Sequence, residues 1–311
     1  MIRTVGGWIA GLLALHGVVA GVYVATVGVD HRTVELDRAF FASDDEVTVL
    51  VAGGSHARNA IAAESLGGMS IAVAGELPLK TRFRLPWLLD RSERPIGAVV
   101  LELDSVSVSG WKADVFDPEY VWGRYVPFIE LGMLRGAPLD YAGKWGKAWL
   151  VPYAGEWNNL MFWGAGLRAF QDEAGLDRFK GQPPAWMRKS GEVVAKAHFE
   201  GHHPADPAMI WGFHELVREL RARQVRVVVV RFPVQASYRE AAASYGATPD
   251  ILDEVLAPVL EPGVVDALDF SDLYDGRPDA FYDGDHIGGK ARRHFTRVLA
   301  DELEALGIAT R

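Results

Sequence analysis

The sequence predicts an α/β fold on a parallel five-stranded sheet, preceded by a membrane-crossing helix. Three observations carry this. Short runs of β-branched and apolar residues recur at 47–53, 69–75, 97–103, 225–233 and 263–271, and such runs suit strands buried on both faces. Segments with helical spacing separate several of them, an alternation expected of parallel strands with helices covering both sides. Residues 8–29, "WIAGLLALHGVVAGVYVATVGV", carry no charged side chain other than His16.

That first run is long enough to cross a bilayer, since its length as a helix is roughly 33 Å. Arg3 precedes it, and Asp30, Glu35, Asp37 and Asp44 follow, against Arg32 and Arg38. Positive charge favours the cytoplasmic side, so the body of the chain is expected outside the cytoplasm, in the periplasm, on a single-pass plasma- or inner-membrane anchor. The run exceeds a signal-peptide core and lacks a small-x-small cleavage site, so an uncleaved anchor is expected over a removed signal. The domain reading is an anchor over 1–30 and one α/β body over 31–311, with 30–46 as a polar tether.

Composition limits the function classes. Net charge is −9, from 41 acidic and 32 basic residues, which leaves no basic footprint for nucleic acid. The absence of cysteine excludes disulfides, thiolate–zinc sites and a cysteine nucleophile.

Along the body, "VTVLVAG" (47–53) is the first strand and "HARNAIAAESL" (56–66) a helix ended by Gly67-Gly68. "MSIAVAG" (69–75) is the second strand. Residues 77–92 read as part helix, broken at Pro86, and "GAVVLEL" (97–103) is the third strand. Residues 105–205 hold seven of the ten tryptophans and read as an insertion. Those indoles could stack on sugars, sit at a membrane interface, dock a partner, or pack the insertion on the sheet. A helix over 206–224 opens with Asp206 as cap and Pro207 in the first turn. The fourth and fifth strands follow. The last helix, 288–307, aligns Phe295, Val298, Leu299, Leu303 and Leu306 on one stripe.

Two segments carry chemistry. In "VTVLVAGGSHARNAI" a serine, Ser55, sits on a Gly-Gly turn after the first strand. By itself this can be a plain helix cap. Downstream, "FYDGDHIGGKA" (281–291) places Asp283 three residues before His286 and Asp285 beside it. A serine hydroxyl needs a base, histidine can serve near neutral pH, and a carboxylate orients the ring. The bland alternative is a surface histidine in an acidic loop.

A Gly-Gly-Ser turn after strand one, with D-x-x-H immediately before the last helix, resembles the SGNH/GDSL hydrolase superfamily. The resemblance covers roughly residues 45–104 and 206–307. It implies a flavodoxin-like three-layer sandwich, with Ser55 as nucleophile, His286 as general base and Asp283 as its orienting carboxylate. It also implies an oxyanion site made by the backbone N–H groups of Ser55 and Gly75. The family's third block normally offers an asparagine; here Asp104 and Ser105 stand in that place, and Ser107 follows. His56, Asp104, Ser105 and Asp285 are therefore expected as substrate-contacting or accessory residues, with His56 opening the helix and pointing away from Ser55.

The "GSH" start, the missing asparagine, the anchor and the "RFPV" ending of strand four look most like membrane-anchored SGNH proteins of envelope-polymer modification, such as the D-alanine transfer and alginate O-acetylation proteins. That likeness implies esterase or O-acyl-transfer chemistry, acetyl being the expected acyl group. It implies an extracytoplasmic polysaccharide or envelope polymer as acceptor, and a membrane-bound O-acyltransferase as partner. The alternative is a non-catalytic scaffold of the same fold. No cofactor is expected, because no G-x-G-x-x-G or Walker pattern follows any strand. No metal is expected either: His198, His202, His203 and Asp206 crowd one loop, and Asp275, Asp279, Asp283 and Asp285 lack EF-hand spacing.

Overall fold

The computed structural model describes residues 2–26, 32–43, 46–111 and 190–310, with positions 125, 139, 142–143, 146–147 and 150–152 between them. Most of the expected Trp-rich insertion lies outside the described residues.

Strands β1 (Val47–Ala52), β2 (Met69–Ser70), β3 (Ile96–Glu102), β4 (Arg226–Arg231) and β5 (Val265–Asp269) form one sheet in the order β2-β1-β3-β4-β5. All four pairings are parallel, as expected. The helices are α1 (Ile2–Ala25), α2 (Arg32–Ala42), α3 (Ser55–Ala60), α4 (Pro78–Leu89), α5 (Gly191–Phe199), α6 (Pro207–Ala222), α7 (Ala236–Ser244), α8 (Pro249–Leu256) and α9 (Gly289–Ala305).

Both faces of the sheet are covered, which is why the strands read as unbroken apolar runs. Successive side chains point to opposite faces. Leu50, Val99, Leu101, Val227 and Val229 pack with Phe213, Leu216 and Leu220 of α6. Their neighbours Val49, Val51, Val100, Val228 and Val230 pack with Phe295 and Leu299 of α9. The result is the expected α/β/α sandwich. Strand order reverses between β1 and β3, and in open α/β sheets a crevice forms there at the carboxyl ends of the strands.

Several element boundaries differ from expectation. The polar tether contains helix α2, whose buried Thr33, Asp37 and Phe40 fall on one helical stripe. The helix expected over 56–66 ends at Ala60, and a 3₁₀ turn, Ala63–Leu66, follows an extended Ile61. Side chains of α9 satisfy the backbone at that break: Arg292 donates to the Ile61 carbonyl at 2.7 Å, and Thr296 accepts from Ala62 N–H at 3.0 Å. Strand β2 is short, although Ile71 and Val73 N–H still donate to the Val51 and Gly53 carbonyls at 2.9 and 3.0 Å. Pro86 does not break α4. The helix runs on to Leu89 with Leu85 and Leu88 in the core, and that packing offsets the one hydrogen bond the proline removes.

The chain divides into two compact units, residues 1–38 with 117–171 and residues 39–116 with 172–311. The first holds α1. Its stretch Val5–Ala25 is long and apolar enough to cross a membrane, and Trp8, Leu12, Leu13 and Val18 are exposed. It begins earlier than the expected residue 8, and residues 27–29 lie outside the described residues. The second unit holds the sheet and every site residue named above.

Candidate active site

The corner after β1 is built around two glycines. Gly53 has φ +141°, and a Cβ there would stand 2.5 Å from the Glu102 Cβ. At Gly54 a Cβ would meet Glu102 Oε1 at 2.9 Å and the Glu76 carbonyl at 3.1 Å. Gly53 excludes a side chain, a Cβ at Gly54 would press on Glu102, and the tight corner delivers Ser55 to the first position of α3. Its N–H is among the first-turn donors that have no partner within the helix.

Glu102, at the end of β3, braces this corner. Its Oε2 accepts from Gly54 N–H at 2.9 Å and Ala57 N–H at 2.8 Å, one on each side of the serine. This residue was not singled out from the sequence. The signal was there: a carboxylate in the buried run "AVVLEL" must find donors.

The loop 281–288 brings in the histidine. Asp283 Oδ1 accepts from the N–H groups of Asp285 at 3.1 Å and His286 at 2.7 Å, so the aspartate shapes the turn that carries its own partner. His286 Nδ1 lies 3.0 and 2.9 Å from the two Asp283 oxygens and 3.0 Å from Asp285 Oδ1. Its Nε2 lies 2.8 Å from Ser55 Oγ. With Nδ1 donating to carboxylate, Nε2 is left to accept from the serine hydroxyl. Tyr282 stacks on the ring at 5.4 Å between centroids, and Asn59 donates to the Tyr282 hydroxyl at 2.8 Å. Gln235 Nε2 holds the Asp283 carbonyl at 2.9 Å. Ser55, His286 and Asp283 thus meet at the switch point from segments more than two hundred residues apart in sequence.

His56 does not turn away from this group. It is buried, and its ring lies 4.7 Å from that of His286. Its Nδ1 hydrogen-bonds Asp104 Oδ2, and its Nε2 lies 3.3 Å from Asp285 Oδ2. Asp104 is closed from behind by Ser107, whose N–H donates to Oδ1 at 2.8 Å and whose hydroxyl donates to the Asp104 carbonyl at 2.8 Å. Asp104 faces His56, and Ser107 is committed to its own turn. Ser105 is half-buried in the turn after β3.

Gly75 has φ +77° in the turn after β2, with open space where its Cβ would be. This turn flanks the nucleophile corner, since Val73 binds the Gly53 carbonyl.

Burial works against charge on both histidines, and the carboxylates overcome it. His56 is raised from 6.5 to about 10, chiefly by Asp104 and then Asp285, with His286 opposing. His286 is raised well above its usual range by Asp285 and Asp283. Burial would raise Asp285, but the two histidines hold it well below the usual carboxylate range. Tyr282 is pushed up by burial and by Asp283 and Asp285.

His56, Asp285 and His286 bring three ligand-type atoms within 4.8 Å, as do His56, Glu102 and Asp104. Every imidazole nitrogen in these groups already serves a carboxylate or Ser55, so the groups form a hydrogen-bonded chain and we assign no metal. In the other histidine cluster, His198 meets Tyr238, His203 meets the Ala205 carbonyl, and Asp206 caps α6. Asp275 and Asp279 pair with Arg239 and Arg277.

Fold and site together define an α/β protein with a Ser-His-Asp constellation at the sheet's switch point. No family model and no curated protein matches the chain. Solved structures similar to it include one from Streptococcus pneumonia, provisionally described as a platelet activating factor. That structure is 10% identical, aligns with 88% of this chain and 92% of its own, and has a TM-score of 0.43.

Proposed function

We propose that this chain carries out serine-dependent acyl-ester chemistry, as an esterase or O-acyltransferase acting through an acyl-Ser55 intermediate. The observation that carries the reading is the Ser55 Oγ to His286 Nε2 distance of 2.8 Å, with Asp283 on the opposite ring nitrogen at 2.9 Å. The neutral form of His286 takes the hydroxyl proton as Oγ attacks the ester carbonyl. The N–H groups of Ser55 and Gly75 would receive the oxyanion. Collapse of the tetrahedral adduct breaks the ester C–O bond. The proton on His286 goes to the departing alkoxide, leaving acyl-Ser55. A second nucleophile, water or a sugar hydroxyl, then gives its proton to His286 as it bonds to the acyl carbon; the acyl C–Oγ bond breaks, and His286 returns the proton to Ser55 Oγ.

Asp104 supplies no third oxyanion donor in this scheme, because its carboxylate is committed to His56 and Ser107. The apolar helix Val5–Ala25 would hold the active unit at a membrane. On the resemblance to envelope-polymer SGNH proteins, the proposed acceptor is an extracytoplasmic polysaccharide or envelope polymer and the proposed partner a membrane-bound O-acyltransferase.

The test uses the full chain in detergent micelles with p-nitrophenyl acetate, with and without oligosaccharide acceptors. Wild type is expected to release p-nitrophenol and to acylate the sugar, and Ser55→Ala to do neither. Equal inertness of the two folded proteins would contradict an enzymatic role and leave the non-catalytic scaffold.

A further inference from the structure

Behind the Ser55–His286–Asp283 group lies a second histidine, and its surroundings assign it a task. We infer that His56 is a fixed buried cation that neutralises Asp285 and Asp104, and so counters the hold that Asp283 and Asp285 exert on a His286 proton. The inference rests on the proposed function of Ser55 and His286.

The geometry is a continuous chain. His286 Nδ1 faces two carboxylates, Asp283 at 2.9 Å and Asp285 at 3.0 Å. A lone imidazole between two carboxylates would be held as imidazolium and could take no proton from a serine. Asp285 presents its other oxygen to His56 Nε2 at 3.3 Å. His56 Nδ1 is bound to Asp104 Oδ2, with Glu102 Oε1 at 3.9 Å. The His56, Asp285 and Glu102 side chains are almost solvent-free, at 3%, 3% and 6% exposure. Three carboxylates around one imidazole in so dry a place require it to be charged. Its charge in turn lies one ring away from His286 and works against protonation there.

The other titratable groups around the pair are His198, Tyr238 and Tyr282. His198 Nδ1 lies 3.8 Å from Asp285 Oδ2 but is bound to the Tyr238 hydroxyl at 3.0 Å. Tyr238 is held neutral, chiefly by burial and then by Asp285, Asp104 and Asp283. Tyr282, stacked on His286, is neutral for the same kind of reason. His56 is therefore a positioning residue: it acts on the reaction through Asp285 and His286.

The experiment is the pH–rate profile of the full chain in micelles for wild type, His56→Gln and His56→Lys. Removing the cation in His56→Gln should move the rising limb alkaline by about one pH unit or more. His56→Lys, which keeps the charge, should restore the limb toward the wild-type position. A limb that stays in place in a folded, active His56→Gln protein overturns the inference while leaving Ser55 catalysis standing. Absence of any Ser55-dependent rate in wild type would instead overturn the functional reading beneath it. Should His56→Gln fail to fold, ¹⁵N-histidine NMR of wild type decides the matter. With His56 assigned through its backbone links to Ser55 and Ala57, an imidazolium persisting at pH 9 supports the inference, and a neutral ring at pH 7 overturns it.

Discussion

The polar cluster at the β1/β3 crossing has two arms that share Asp285 and differ in access to water. In the outer arm, His286 and Asp283 are 15% and 19% exposed, and the chain ends on a hydroxyl, Ser55. In the inner arm, His56 is 3% exposed and ends on Asp104, whose other oxygen is closed by Ser107. The chemistry of the two arms is alike, histidine against carboxylate. The outer arm reaches a partly exposed hydroxyl, whereas the inner arm ends on buried carboxylates. Burial thus separates the histidine proposed as the base from the one proposed to set the local field.

The comparison breaks most sharply on the outer arm. Ser55→Ala and His286→Ala should each lower esterase kcat/KM by about 10³-fold or more while leaving the melting temperature nearly unchanged. Parallel rate assays and thermal melts check this. The inner arm should behave oppositely. Asp104→Ala leaves a buried cation short of its principal partner and should destabilise the fold by about 3 kcal/mol, read as a lowered denaturant midpoint.

The glycine corners sharpen the contrast between the nucleophile turn and its neighbour. Gly53→Ala must fit a Cβ 2.5 Å from Glu102 at φ +141°, and should cost about 3 kcal/mol together with most of the activity. Gly75→Ala has the positive φ but open space around it, and should cost only about 1 kcal/mol. Its rate loss, if Gly75 N–H is an oxyanion donor, should stay small because the backbone donor is retained.

Stability should also follow pH through the inner arm. His56 is raised in the folded state from 6.5 to about 10. A raised value means that its contribution is complete below about pH 6.5 and is lost as pH rises through about 10. Melts of wild type across that window should fall with pH, and the fall should be shallower in His56→Gln.

Much of this was legible in the sequence, for identifiable reasons. A parallel sheet covered on both faces needs apolar residues at every strand position, so β1, β3 and β4 stood out. Asp283 and His286 come from one short turn, and their spacing carries the geometry. Other features depend on tertiary partners and left no local periodicity. The break after Ala60 is stable because Arg292 and Thr296 arrive from α9. Strand β2 has only two residues in register. Helix α2 hides its buried stripe in a polar composition. The direction of His56 is set by Asp104 and Asp285, which the chain supplies from far along its length, so no reading of "GGSH" alone could orient that ring.

The central claim is that Ser55 is the nucleophile, and trapping tests it most directly. The full chain would be mixed with p-nitrophenyl acetate, quenched in acid within seconds, and read by intact mass and peptide mapping. One acetyl group on the peptide containing Ser55, absent from Ser55→Ala, is the predicted result. An unmodified serine in folded protein that still turns over the ester, or acetylation at another residue that persists in Ser55→Ala, would contradict it.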